Sequence, residues 1–193
     1  KQAAFTPKIG YPDKWREWAG LETSRDSYIG NVLAAQEFNY RWNLSKIGQP
    51  VDKSEWGMPP QMVNAYYNPL QNEIVFPAAI LQPPFFDPKA DDATNYGGIG
   101  AVIGHEMTHG YDDQGSRFGP TGNFENWWTP ADAKCFAGRT DKLVKQFNAY
   151  EALPGLRVNG KLTLCENIAD LGGLATAYDA MKLATQGQAD AAP

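Results

Sequence analysis

Apolar residues recur at a helical spacing in the first quarter of the chain, between Ser24 and Ile47. Five of them fall roughly on one stripe of a helix: Ile29, Val32, Leu33, Phe38 and Trp42. The sequence Gly-Gln-Pro at 48–50 ends the pattern, because glycine and proline both interrupt helices. The pattern therefore predicts one helix over residues 24–47.

Two shorter segments, at 61–67 and 73–76, have the composition of β-strands. The residues between them, 68–72, include a proline and two asparagines, which are typical of a turn. We therefore expect two short strands joined by this turn. Residues 1–7 and 186–193 show no such pattern and are expected to be frayed ends or linkers.

Three further segments predict helices. The first, Ala93–Tyr111, has four glycines in its interior, at positions 97, 98, 100 and 104, and each costs about 1 kcal/mol there unless close packing against neighbours offsets it. The second begins at Thr129–Pro130, a capping threonine followed by proline at the first helical position, and ends near Tyr150. The third is Leu164–Leu183, which follows an Asn-Gly turn at 158–161. The predicted fold class is α+β, mostly helical, with one small sheet.

Composition narrows the classes of function. A chain of 193 residues fits one domain, and no apolar run approaches the roughly 20 residues that span a bilayer. With 17 Lys+Arg against 22 Asp+Glu, the net charge of -5 argues against a nucleic-acid-binding protein, which would normally have a basic face. Two cysteines exclude a disulfide scaffold. Without an initiator methionine or a signal-type segment, we expect targeting information to be absent or removed.

The only two histidines are His105 and His109, and Glu106 lies between them. In a helix, positions i and i+4 lie on one face, so the two imidazoles can bind a single metal ion. The Glu106 carboxylate lies beside that face, where it can accept a proton from a metal-bound water. This His-Glu-x-x-His pattern therefore predicts a zinc site with a general base.

The third metal ligand cannot be a histidine, and Gly115 stands where the metzincin pattern requires one. Glu166 and Asp170 lie one turn apart on the last predicted helix, so one could bind the metal while the other hydrogen-bonds an imidazole from behind. Cys165 is a competing ligand, although it would face roughly 100° away from Glu166. A solvated acidic face is the remaining alternative for the two carboxylates.

Asp112 falls close to the ligand face of the same helix as the histidines. Its carboxylate could orient His109, or it could cap the helix end. Two histidines, one carboxylate and an open position for water define a catalytic rather than a structural zinc site. The residues by themselves therefore favour a zinc hydrolase.

Eight segments form an ordered set of longer motifs: Val63-Asn-Ala-Tyr-Tyr67, Ile74-Val-Phe-Pro-Ala78, Ile80-Leu-Gln-Pro-Pro-Phe-Phe86, Gly97-Gly-Ile-Gly100, Val102–Gly110, Asp112-Asp113, Trp127-Trp128 and Val158–Asp170. Together they resemble the neprilysin and endothelin-converting-enzyme family of zinc endopeptidases. The resemblance extends from about Tyr11 to Leu183. It implies a thermolysin-like gluzincin catalytic domain that acts on peptides.

Carried over by position, the resemblance implies a role for each residue of the metal site. One Zn²⁺ per chain would be bound by His105, His109 and Glu166. Glu106 would act as the general base, and Asp170 would lie behind His105.

The resemblance also implies two groups of substrate-binding residues. Asn64 and Ala65 match residues of an edge strand, whose free backbone groups can pair with an extended peptide. Ile80, Phe85 and Val102 match positions that line the apolar pocket just after the scissile bond. The alternative for these three is a place in the core.

The chain departs from the family pattern in three respects. Cys165 stands where close relatives usually have glycine, and no histidine follows Glu166, although the family has an oxyanion-binding histidine and a substrate-binding arginine further downstream. The family's N-terminal lid domain is also missing. We therefore expect residues 1–193 to be a partial catalytic domain. Cys135 is expected to be a free thiol, since its family partner lies near the missing C-terminus.

Three functions follow as alternatives. The first is a zinc endopeptidase, placed in the periplasm or outside the cell by the resemblance. The second is an excised zinc-binding core with little or no activity, whose partners would be a cleaved C-terminal segment of the same protein or a second copy of the chain. The third, a gluzincin aminopeptidase, would require a Gly-x-Met-Glu-Asn strand motif, and Asn64-Ala65 stands in its place.

Overall fold

The computed structural model describes residues 1–185. The helices are α1 (Tyr28–Ser45), α2 (Asp92–Asn95), α3 (Ala101–His109), α4 (Pro130–Asn148) and α5 (Leu164–Ala184). The strands are β1 (Thr6–Gly10), β2 (Tyr66–Asn68), β3 (Glu73–Pro77), β4 (Glu151–Leu153) and β5 (Leu156–Arg157). These elements confirm the predicted α+β, mostly helical fold, although the described strands form two small sheets, of three and two strands, where one was expected. The end predicted to be frayed, 186–193, lies outside the described residues.

The chain divides into two units. The larger unit combines Lys1–Tyr11 with the residues from Met58 onwards, and it contains every candidate site residue. The smaller unit is Pro12–Gly57, and it contains α1.

Helix α1 begins four residues later than the sequence predicts. The Ser27 hydroxyl accepts a hydrogen bond from the Gly30 N–H at 2.9 Å and so caps the helix. Before this cap, the backbone of Ser24 is held outside the helix by two hydrogen bonds with the side chain of Asn31. The spacing of apolar residues therefore predicted that a helix is present, but its first residue is determined by side-chain capping.

The larger unit contains a three-stranded sheet with the strand order β1-β3-β2. The central strand β3 is buried along its whole length. Strand β1 runs parallel to it, with Thr6 opposite Glu73 and Gly10 opposite Pro77. A buried ion pair of 2.6 Å between Lys8 and Glu73 joins the same two strands.

The prediction of a frayed end at residues 1–7 is wrong. A short 3-10 turn at Gln2–Ala4 leads into β1, and the Thr6 N–H donates to the carbonyl of Asn72 at 3.0 Å. Pro7 lowers the strand propensity of this segment, but proline is tolerated on an edge strand, and β1 lies at the edge. Its pairing partner lies far along the chain, so a local pattern could not reveal it.

Strand β2 is shorter than the predicted 61–67. Only Tyr66–Asn68 pairs with β3. Just before it, hydrogen bonds are local: the Asn64 N–H donates to the Met62 carbonyl at 3.0 Å, and the Ala65 N–H donates to the Asn64 side chain at 2.9 Å. Asparagine side chains compete with a strand ladder in this way.

The single helix predicted at Ala93–Tyr111 is divided into three parts. A π-helical turn at Tyr96–Gly100 separates α2 from α3. There the Ile99 N–H donates to the carbonyl of Phe85 at 2.7 Å, and a Cβ on Gly98 would lie 2.4 Å from that same oxygen. Because Gly98 has no side chain, the Phe85 backbone can approach the helix closely at this point. Turns of π-helix are often found at functional sites.

Helices α3 and α5 cross at two glycines. A Cβ on Gly104 would lie 2.6 Å from the Gly173 carbonyl oxygen, and a Cβ on Gly173 would lie 2.5 Å from the His105 nitrogen. This backbone-to-backbone contact is the close packing that the glycine-rich segment requires. It brings the first turns of α5 beside the two histidines of α3.

The C-terminal third matches the sequence more closely. Helix α4 begins at Pro130, and the Thr129 hydroxyl accepts from the Asp132 N–H at 3.1 Å, as predicted. Strands β4 and β5 are joined by a turn at Gly155, which has a φ of 79°. Residues 158–161, predicted as an Asn-Gly turn, lead into α5, and there the Asn159 side chain accepts hydrogen bonds from the N–H groups of Lys161 and Leu162. None of the helices within residues 1–185 combines the length and apolarity needed to cross a bilayer.

Candidate metal centre

The side chains of His105, His109 and Glu166 converge on one point between α3 and α5. Their donor atoms all lie within 4.8 Å of one another. The Nε2 atoms of the two histidines are 3.0 Å apart, and the Glu166 Oε2 lies 3.4 Å from His105 and 3.6 Å from His109. Two imidazoles and one carboxylate, with an open side, match the donor set of a catalytic zinc ion.

A carboxylate stands behind each imidazole. The Nδ1 atom of His105 is 2.8 Å from Asp170 Oδ1, and the Nδ1 atom of His109 is 2.7 Å from Asp112 Oδ2. Each Nδ1–H can therefore donate to a carboxylate, which leaves both Nε2 lone pairs directed at the convergence point. This arrangement fits a zinc ion held by neutral histidines.

Asp112 makes both of the contacts that the sequence left open. Its second oxygen, Oδ1, accepts from the N–H groups of Gln114 at 2.8 Å and Gly115 at 2.7 Å, which caps the turn after α3. Burial lowers the pKa of His109, but the hydrogen bond and charge of Asp112, together with the charges of Glu106 and Glu166, raise it by more, so the net shift is upward. Asp112 is therefore the dominant electrostatic partner of that imidazole.

Glu106 is buried beside the same point, with only 5% of its surface exposed. Burial raises its pKa, and the nearby His109 and His105 together with a hydrogen bond from the Tyr67 backbone lower it without cancelling the rise. A carboxylate whose pKa is raised accepts a proton more readily, as a general base requires.

A cleft of about 420 Å³ opens above these residues. One wall carries the two histidines, Glu106 and Glu166, and the other is formed by residues 64–67. Asn64 and Ala65 lie in this wall, but they precede β2, so the prediction that they belong to an edge strand is wrong. The expected edge strand is thus confined to Tyr66–Asn68.

The three apolar candidates line a second cavity of about 460 Å³ that adjoins the first. Ile80 is buried in the core cluster, while Phe85 and Val102 are partly buried and pack against that cluster. His105 and Glu106 also line this cavity. The three residues therefore belong to the core and at the same time face a space next to the metal site.

Neither cysteine joins the converging donors. Cys165 lies at the cleft, with its Sγ atom 3.7 Å from Glu166 Oε1, and burial raises the pKa of its thiol. Cys135 is exposed, and both thiols are free. Within the described residues the donor cluster contains Glu166 and not Cys165.

One residue near the site was missed from the sequence. The Nζ atom of Lys1 donates to the carbonyls of Gly115 at 2.6 Å and Phe118 at 2.7 Å. Burial lowers the pKa of this side chain to about 8, and the charge of Asp112 opposes the shift. The sequence predicts a frayed end at residues 1–7, and nothing in their local pattern links Lys1 to position 115.

Comparisons with known proteins give a consistent picture. The model of peptidase family M13 matches residues 64–192. A Streptococcus gordonii protein provisionally named as a zinc metalloproteinase is 48% identical over 186 residues, which are 94% of this chain and 32% of that protein. An endothelin-converting enzyme homolog of Locusta migratoria is 44% identical over 187 residues, covering 93% of the chain and 26% of the homolog.

A solved structure agrees over almost the whole chain. It is the zinc metalloprotease Zmp1 of Mycobacterium tuberculosis in complex with an inhibitor, which superposes with a TM-score of 0.93 at 53% identity. The superposition covers 99% of this chain and 30% of that structure. The chain thus spans about a third or less of the length of the relatives that it matches.

Proposed function

Since the chain belongs to peptidase family M13, we propose that it is the catalytic core of a zinc-dependent endopeptidase. The observation that carries this proposal is the convergence of His105, His109 and Glu166 at a cleft that also holds the buried Glu106. A metal site closed by four protein ligands would be structural, whereas three ligands at an open cleft leave room for water and substrate.

Zinc bound at this point would polarise a water molecule and the carbonyl of the scissile peptide bond. The Glu106 carboxylate would accept the proton of the attacking water as the water oxygen bonds to the carbonyl carbon, and would return a proton to the nitrogen as the C–N bond breaks. Asp170 and Asp112 hold the imidazoles in the orientation that presents Nε2 to the metal. The catalytic chemistry thus rests on Glu106, and the aspartates act through the ligands.

The substrate would lie along the wall of the cleft formed by residues 64–67. β2 is an edge strand, so its outer backbone groups face away from β3 and can pair with an extended peptide. The side chain that follows the scissile bond would enter the cavity lined by Ile80, Phe85 and Val102. These residues favour a peptide with an apolar side chain at that position.

The test is Glu106→Gln in the natural full-length protein. An amide cannot accept the proton, so kcat should fall by about 10²–10⁴-fold while one zinc ion per chain is retained. Glu37→Gln, at an exposed pair with Arg41 on α1, is the matched control and should leave both unchanged. Turnover within about tenfold of wild type would sink the general-base role of Glu106.

We propose in addition that these 193 residues in isolation bind zinc but hydrolyse peptides poorly. The supporting observation is their span of about a third of the relatives, together with the absence from the sequence of any histidine other than the two ligands. The family resemblance implies an oxyanion-binding histidine and a substrate-binding arginine beyond Glu166. A separate segment of the same protein would then have to supply them.

A further inference from the structure

The side chain of Lys1 is partly buried among three aromatic rings near the candidate metal centre. Its Nζ atom lies 5.7 Å from the ring centroid of Tyr67, 5.8 Å from that of Tyr111 and 5.9 Å from that of Trp127. Rings at this distance attract a cation through their negative faces. With a pKa of about 8, the amine is mostly an ammonium ion at neutral pH. The cage therefore holds a positive charge.

A continuous series of hydrogen bonds leads from this ammonium to a metal ligand. Lys1 Nζ donates to the carbonyl of Gly115 at 2.6 Å, and the N–H of Gly115 donates to Asp112 Oδ1 at 2.7 Å. Asp112 Oδ2 in turn lies 2.7 Å from His109 Nδ1. Only glycine fits at 115, because a Cβ there would lie on top of the His109 carbonyl oxygen.

From this series we propose that Lys1 is a positioning residue for the zinc ligand His109. It fixes both carbonyls of the turn after α3, and the turn fixes the N–H groups that hold Asp112 against the imidazole. Its positive charge also favours the negative charge of Asp112, with which it interacts electrostatically. The inference rests on the metal site of the proposed function, but not on its peptidase activity.

A purely structural role for Lys1 would give different results. In that case the residue would only attach β1 and the 3-10 turn before it, and its loss would lower stability without changing metal binding. A positioning role instead requires that the loss of Lys1 weaken zinc binding by disturbing Asp112. Zinc affinity and the state of the His109 Nδ1–H are therefore the decisive readouts, because neither needs hydrolysis.

The experiment compares zinc dissociation constants, measured by chelator competition, in the natural full-length protein. Lys1→Met fills the cage but removes the charge and both hydrogen bonds, and it should weaken zinc binding by about tenfold, the lower end for groups that support a ligand. Lys1→Arg retains a cation and should recover most of that loss. In an Asp112→Asn background, Lys1→Met should add nothing.

Lys8→Met is the matched control, since it removes another lysine of the same segment, one that pairs with the buried Glu73. It should lower the melting temperature, because an unpaired buried carboxylate is costly, and leave zinc affinity unchanged. In ¹⁵N-labelled protein the His109 Nδ1–H signal should exchange faster with water in Lys1→Met and keep its wild-type rate in Lys8→Met.

Three results would overturn the inference: Lys1→Met within about twofold of wild-type affinity, an equal loss in Lys8→Met, or a Lys1→Met effect that persists in full without the Asp112 carboxylate. If Lys1→Met does not fold, Lys1→Arg becomes the test. A Lys1→Arg protein that is as stable as wild type but binds zinc tenfold more weakly would contradict a role for the positive charge. Failure of the wild-type protein to bind zinc would reject the metal site itself, and both proposals with it.

Discussion

The two imidazoles of the metal centre are supported by aspartates in very different surroundings. The side chain of Asp112 is 3% exposed and bonded to two backbone N–H groups, whereas that of Asp170 is 79% exposed. Water can replace an exposed carboxylate but not a buried one. The carboxylate that orients His109 is therefore buried and fixed by the backbone, whereas the one that orients His105 is exposed to solvent on α5.

This contrast predicts unequal effects of neutralising the two aspartates. Asp112→Asn should weaken zinc binding by about 10–100-fold, and Asp170→Asn by less than about tenfold. Chelator competition at one fixed pH measures both values. Asp179→Asn, at an exposed pair with Lys182 on the same helix as Asp170, provides the control. A larger loss in Asp170→Asn than in Asp112→Asn would show that burial does not set the strength of this support.

At the scale of the elements, the distance between α3 and α5 determines whether Glu166 reaches the histidines. Gly173→Ala would place its Cβ 2.5 Å from the His105 nitrogen and 2.7 Å from the Ala101 carbonyl oxygen. Both contacts are with backbone, so the helices must separate. We expect a loss of about 1–3 kcal/mol in the free energy of unfolding and a weaker affinity for zinc.

Helix propensity by itself predicts the opposite sign, since alanine is favoured over glycine by about 1 kcal/mol in a helix. Gly138→Ala on α4 is the control for that effect, because nothing lies within 4 Å of its added Cβ. It should raise the free energy of unfolding by about 0.5–1 kcal/mol and leave zinc affinity unchanged. Chemical denaturation of the two variants side by side distinguishes the explanations, and a stabilised Gly173→Ala would reject the packing argument.

The sequence predicted those parts of the fold that depend on neighbouring residues. The cap at Thr129–Pro130 and the i,i+4 spacing of His105 and His109 are local, and the structure contains both the helix start and the helix face that they require. The family resemblance extended this to Glu166, which the structure places beside the two histidines.

Features that depend on distant residues were not predictable. The edge strand β1 exists because of its parallel partner β3, and the contact of Lys1 with Gly115 spans 114 positions. The π-helical turn depends on the approach of the Phe85 backbone, which a single-segment pattern does not contain. In each case tertiary contact decided the local structure.

At the scale of the whole molecule, the isolated 193-residue chain should bind zinc yet cleave peptides slowly. The removal of one oxyanion donor typically costs about 10²–10³ in kcat. The measurement is kcat/KM of this chain, verified by intact mass, beside that of the natural full-length protein. Equal values for the two forms would contradict the proposal that downstream residues are needed.

The parallel pairing of β1 with β3 also affects the order in which parts of the chain can fold. β1 is synthesised before β3, with the whole of Pro12–Gly57 made between them, and long-range parallel pairing is slow to form. The ligand set is completed later still, because Glu166 belongs to the last helix, α5. A nascent chain therefore lacks the full set of candidate ligands until α5 has been made. Zinc binding at this site would then have to follow the formation of α5, because metal binding is coupled to the folding of the elements that carry the ligands.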